Sequence, residues 1–304
     1  MSRHLSTEWP ILDFATMQET VETMHQWLQI IGKIRLKAMP WLNHSWLCTL
    51  YISPAGYTTN AICFEGGTFE LELDFIHHQL QIKCANAPTQ HIPLATSTVA
   101  DFYHKLFEKL AKIGVNVKIH GRPNEMDPAI PFTSNTAISP YNPHAANLLW
   151  KAMLKSNGVF NKFRSGFIGK SSPVHLFWGA FDLAVTRFSG RTAPLHQGGV
   201  PNMPLEVMQE AYSHEVSSAG FWPGSKDSPI PVYYAYAYPG DEAYAKQKVL
   251  PEQAFYSPEM GEFFLKYEDV QSASDPDKML LDFLNTTYEA AANTSNWDRE
   301  ALER

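Results

Sequence analysis

FRSGFIGKSSPVHLFWGAFDLAVTRFSGR, residues 163–191, holds the reading of this chain together. From His175 to Phe188 the residues alternate as in a strand, and both faces are mostly apolar. A strand covered on both sides reads this way, which implies a sheet with helices packed on it. The alternation puts His175, Phe177, Phe181, Val185 and Arg187 on one face and Trp178, Asp182, Thr186 and Phe188 on the other. His175, Asp182 and Arg187 stand out, because a charge inside a covered sheet is costly unless paired.

Upstream, apolar Val21, Met24, Leu28 and Ile31 recur at helical spacing after a Thr16/Glu19 capping box, predicting a helix that Gly32 interrupts or ends. From Ser45 to Cys84 the pattern turns to strands. SWLCTLYIS, YTTNAICF, TFELELDF and HHQLQIKC read as a four-stranded meander with Glu70, Glu72 and Asp74 facing water and His77–His78 inside the last strand. A second helix starts at Thr98 and stops at Gly114, and VNVKIH reads as a short strand. The proline-rich segment 121–141 is a loop or linker between a 1–120 half and a 142–304 half.

Asn142-Pro143 opens the next helix. Beyond residue 191 come the segment AYSHEVSSAGFW, the aromatic strand VYYAYAY, the strand GEFFLKYED and a helix capped by Asp275-Pro276. The terminal NTSNWDREALER is polar and is expected to fray. Ile31-Gly32-Lys33 recurs as Ile168-Gly169-Lys170, and His44 has a counterpart in His175, so the chain reads as two similar halves. The fold class is α+β, antiparallel sheets with packed helices.

With 304 residues, 44% of them hydrophobic and 18% charged, the chain can bury a large core. Its net charge of −7 argues against nucleic-acid binding, which needs a basic face. Charge is unevenly placed: residues 151–191 hold seven Lys/Arg and one acid, whereas residues 201–304 hold seven Lys/Arg and eighteen acids. Cys48, Cys63 and Cys84 lack CxxC spacing and read as small buried hydrophobes. No signal-like or membrane-spanning run is present, which makes the cytoplasm the expected location.

IGK, SPVHLFWGAFDLAVTRFSGR, YSHEVSSAGFWPG and FLNTTYEAAANTSNWDR together resemble a bacterial family of about this length, catalogued as a domain of unknown function. The resemblance covers nearly the whole chain and implies a single full-length module. It brings no activity, cofactor or catalytic residue.

Candidate chemistry is therefore read from residue types. Lys170, Arg187 and Arg191 supply donors for a small anionic ligand, Arg as a planar fork. His175 and Trp222 would line the same pocket, with His214, Glu215 or Asp182 as the proton-transfer group. Lys33 and Lys170, each following a glycine, are candidates for desolvated amines. SGFIGKSS lacks P-loop spacing, no GxSxG serine is present, and HExxH fails because residue 218 is Ser. Two alternatives are a non-catalytic interaction or homodimerising protein, and a metal-dependent hydrolase. Tyr233, Tyr234, Tyr236 and Tyr238 form either core or a stacking surface.

Overall fold

A computed structural model describes residues 8–304. Its first half contains α1 (Phe14–Ala38), a 3-10 turn (Asn43–Cys48), β1 (Tyr51–Ile52), β2 (Gly56–Thr58), β3 (Ile62–Phe64), β4 (Gly67–Asp74), β5 (Gln79–Cys84), β6 (Ala87–Pro93), β7 (Ser97–Thr98) and α2 (Val99–Lys112). After β8 (Ile138–Ser139) come α3 (Pro143–Ser165), β9 (His175–Phe177), β10 (Asp182–Thr192), α4 (Leu205–Ala211), β11 (His214–Trp222) and β12 (Val232–Tyr238). The chain closes with α5 (Glu242–Ala245), β13 (Phe255–Ser257), β14 (Glu262–Lys266), α6 (Tyr267–Gln271), α7 (Pro276–Thr294) and α8 (Arg299–Leu302).

Among the described residues there are two six-stranded antiparallel sheets, so the fold is α+β. The first runs β1-β2-β4-β5-β6 with β3 beside β4; the second runs β13-β14-β12-β11-β10-β9. Their edges meet at Leu50 and Leu176, which exchange backbone hydrogen bonds of 2.9 and 2.8 Å. Apolar residues from both sheets and the long helices form one continuous core, with Tyr57, Trp150, Phe160, Phe221 and Tyr233 fully buried.

The strand expected from His175 to Phe188 is instead a hairpin. Phe181 takes φ 62°, the chain turns, and Asp182 pairs with Phe177 and Ala184 with His175. Cross-strand partners share a face, so His175 lies with Asp182, Thr186 and Phe188, while Arg187 lies opposite with Leu183 and Val185. Alternation counted through a turn assigns the wrong face to everything beyond it.

Other expectations shift for equally local reasons. The helix α1 starts at Phe14, and Thr16 hydrogen bonds back to the Asp13 carbonyl instead of capping. It continues through Gly32 because a side chain there would overlap the Trp178 indole; the glycine is a contact point, not a stop. SWLC forms the 3-10 turn rather than a strand, and VNVKIH stays outside the sheets.

Glu72 and Asp74 are buried, not wet. Glu72 accepts from Ser53 and Lys83; Asp74 accepts from the Ile76 and His77 amides, the His77 ring and Gln81. His77 and His78 sit in the β4–β5 turn that this carboxylate caps. Cys48 is buried, but Cys63 is exposed and Cys84 half-buried. Strand GEFFLKYED ends at Lys266, where α6 begins. The terminal segment does not fray: Trp297 is buried, α8 forms, and Ile168 donates to the Leu302 carbonyl at 2.8 Å. The two IGK triplets occupy unlike places, one inside α1 and one in the extended chain after α3.

Candidate functional site

Arg187 projects from β10 into the helix-covered side of the second sheet. It donates to the Phe163 carbonyl and lies 3.5 Å from the Phe163 ring centre and 4.2 Å from that of Tyr288. Burial lowers its pKa to about 10. Arg191 is exposed and committed elsewhere: it bonds Glu215 at 2.7 Å and the Ser295 and Asn296 carbonyls at the end of α7. Glu215 is thereby neutralised on the surface. His175 is fully enclosed, its Nδ1 donating to the Pro173 and Ala184 carbonyls, and desolvation pulls its pKa down to about 4. Arg191 and Glu215 thus pair with each other, while Arg187 and His175 are buried on opposite faces of the sheet.

Lys170 and His214 do approach one another, through His44. Lys170 Nζ lies 2.9 Å from His44 Nε2, and His44 Nδ1 lies 3.1 Å from the Ala211 carbonyl. A carbonyl accepts only, so Nδ1 carries the proton and Nε2 accepts from the ammonium. Desolvation, then the Lys170 charge, holds the His44 pKa down and fixes that neutral tautomer. His214 packs edge-on to His44 at 6.3 Å, and Trp46 and Phe188 flank the amine at 5.5 and 5.0 Å. His44 and Ser45 both take positive φ, 58° and 57°, an uncommon geometry for residues other than glycine.

Asp182 belongs to a different assembly on the same sheet face. Tyr234 extends flat over Gly220, whose missing side chain leaves room, and donates its phenol proton to Asp182. Tyr236 runs parallel to Tyr234, the rings 6.1 Å apart and inclined by 14°, and its hydroxyl meets that of Tyr212 at 3.0 Å. Thr186 and Ser218 hydroxyls pair at 2.8 Å beside them.

Glu262 enters from β14 and Glu125 from the 121–128 loop, where its carboxyl fills the space left by Gly179. That loop is strapped across: Asn124 bonds the Asn202 carbonyl, Asn202 bonds the Met126 carbonyl, and Gln29 of α1 holds the Asn124 backbone. Trp222 bonds the Ala180 carbonyl at the rim.

The electrostatics where these side chains gather are unusual. Desolvation raises Glu125 to about 7 and Glu262 to about 7, and the Asp182 charge adds to both shifts. Desolvation lifts Asp182 itself to about 6, and the Tyr234 hydrogen bond partly offsets that rise. Glu125 and Glu262 have no hydrogen-bond or ion-pair partner among the described residues, although both are only half-buried.

A family model described as a family of unknown function, DUF5996, matches residues 9–304. The chain belongs to the DUF5996 family. No curated protein matches, and no solved structure does. Membership in a family of unknown function brings no chemistry with it, which leaves the reading to the side chains.

Among the described residues, no three His, Cys, Asp or Glu side chains assemble as a metal site would require, and no helix is long and apolar enough to cross a membrane. The sequence pointed to Asp182 and to the tyrosines of β12. GEFFLKYED marks Glu262 only as a strand residue, and Glu125 carries no signal, since nothing in a proline-rich loop says which sheet it covers.

Proposed function

We propose that this DUF5996 protein binds a small organic cation, an amine or guanidine, in the groove of Glu125, Asp182, Glu262, Tyr234 and Tyr236. The observation that carries the reading is three carboxyl groups on a half-buried tyrosine face with no cationic partner. An unpaired carboxyl in such a place is held partly protonated by desolvation, and an arriving cation reverses that penalty. Tyrosine faces add cation–π attraction, and the acidic excess of residues 201–304 draws cations in. Carboxyls titrating near neutrality also suit proton transfer to or from the bound amine.

This ligand has the opposite sign to the anion expected from the sequence. Arg187 and Arg191, the intended clamp, are engaged with ring faces, carbonyls and Glu215.

The test is a thermal-shift and calorimetric titration with guanidinium, tetramethylammonium and short alkylamines, with glucose as a neutral control. Cations should stabilise saturably, release protons on binding and bind more tightly as pH rises from about 6 to about 8. Glu125→Gln and Glu262→Gln should weaken them. Saturable binding by glucose alone, or cation binding that weakens as pH rises, would overturn the reading.

A further inference from the structure

We propose a second ligand site, for a small phosphate-bearing molecule, in the hollow between α1 and residues 118–120. Its volume is about 440 Å³, and Lys33, Leu36, Lys37, Lys118, Ile119 and His120 line it. The inference goes beyond the cation groove, none of whose residues lines this hollow.

Three lysines and a histidine face this hollow with no carboxylate in its wall, on a chain that carries 31 acids to 24 basic residues. Lys37 and Lys118 are exposed and have no hydrogen bond or ion pair among the described residues. Lys33 is the more telling group. Its side chain is 3% exposed, its Nζ donates to the neutral Asn124 Oδ1, and the Trp178 indole lies 5.0 Å away. Neither neighbour supplies a counter-charge. Burial accordingly lowers the Lys33 pKa to about 8, with the nearby Cys48 thiol opposing slightly.

A buried amine is stabilised when an anion enters beside it, because the anion offsets the desolvation penalty. Three lysines around one hollow exceed what a monocarboxylate neutralises. Lysines acting as flexible point charges suit phosphate oxygens. Leu36 and Ile119 supply an apolar wall for the body of an ester. The anion anticipated from the sequence thus finds its cations at Lys33 instead of at Arg187.

The experiment titrates the intact chain with inorganic pyrophosphate, glycerol 3-phosphate and, as a carboxylate dianion, malonate, read by calorimetry and thermal shift. Both phosphate probes should bind saturably, and Lys37→Glu or Lys118→Glu should weaken them at least about tenfold. These positions are exposed, so the variants should fold, which a retained unfolding transition confirms. A tighter ester marks an organic phosphate as the ligand; equal affinities mark the phosphate group alone, and both results support the site. Absence of saturable phosphate binding, malonate binding as tight as pyrophosphate, or unchanged affinity in both variants would sink it. Tetramethylammonium binding should persist in Lys37→Glu and Lys118→Glu, so failure of this site is separable from failure of the groove.

Discussion

Tyr234 donates to Asp182 across a whole intervening strand, and Gly220 is what lets its ring lie flat enough to reach. A methyl group at residue 220 would overlap the Tyr234 ring and hydroxyl. Gly220→Ala should therefore cost about 1–3 kcal/mol through overpacking, measured by urea unfolding. It should also raise the Asp182 pKa further, since the phenol donor is one of the interactions restraining that rise. Tyr234→Phe keeps the ring and should reproduce the pKa effect with less loss of stability. An Asp182 titration identical in all three proteins would show that the bond has no electrostatic role.

Glu125 and Glu262 should pull stability down as pH rises from about 6.5 to about 7.5. Glu125 and Glu262 have folded pKa values of about 7, above the ordinary glutamate value. Over this window the folded state holds protons that the unfolded chain has already released, so deprotonation favours unfolding. His25, His44, His78 and His175 have lowered values and act oppositely, up to and somewhat above their unfolded value near 6.5, so the carboxyl contribution is read as a difference between wild type and variants. Lys33, at about 8, begins to restore stability above the window. The change of unfolding midpoint with pH across this range should become more positive in Glu125→Gln, and more positive still when Glu262→Gln is added. A pH dependence identical in wild type and in both variants contradicts the assignment.

Arg187 should behave as a packing residue. Its guanidinium is sandwiched against Phe163 and Tyr288 and has no carboxylate within ion-pairing distance among the described residues. Arg187→Ala should destabilise by about 2–4 kcal/mol through the cavity it leaves. Arg187→Met, which keeps most of the volume, should lose less than half of that. Cation binding in the groove should be unchanged in Arg187→Met. Reduced affinity with unchanged stability would instead return Arg187 to a ligand site.

What was legible in the sequence was whatever depends on local chemistry. Asn142-Pro143 and Asp275-Pro276 start their helices as read, and VYYAYAY is the strand it looks like. The α+β class followed from those elements. The reading failed where chain reversal or distant packing decides. The positive φ that turns the chain falls on Phe181 and not on Gly179, and the reversal moved His175 to the Asp182 face and left Arg187 on the other. Gly32 resembled a helix stop because its reason for being glycine, Trp178, lies 146 residues away. Glu125 reaches the groove from a loop whose path is set by Gln29 and Asn202, contacts that no spacing rule encodes. Acid–tyrosine chemistry on face-sharing strands was visible as an alternation; its convergence with Glu125 was not.

Gly32 itself allows a test in which two effects oppose each other. In an exposed helix interior, replacing glycine by alanine stabilises by about 1 kcal/mol, through lower backbone entropy in the unfolded chain. At residue 32 the added methyl would drive into the five-membered ring of Trp178, which is 6% exposed and fixed by its bond to the Cys48 carbonyl at 2.9 Å. Displacing that indole disturbs the amine of Lys33 above it and the turn that Gln29 holds at Gly179. Overpacking of this kind costs about 1–3 kcal/mol and should outweigh the helical gain. Gly32→Ala is therefore expected to lower the unfolding midpoint, while Gly158→Ala, inside α3 with nothing near its Cβ position, should raise it. If both alanine variants stabilise the protein equally, the α1–Trp178 contact does not set the helix's position.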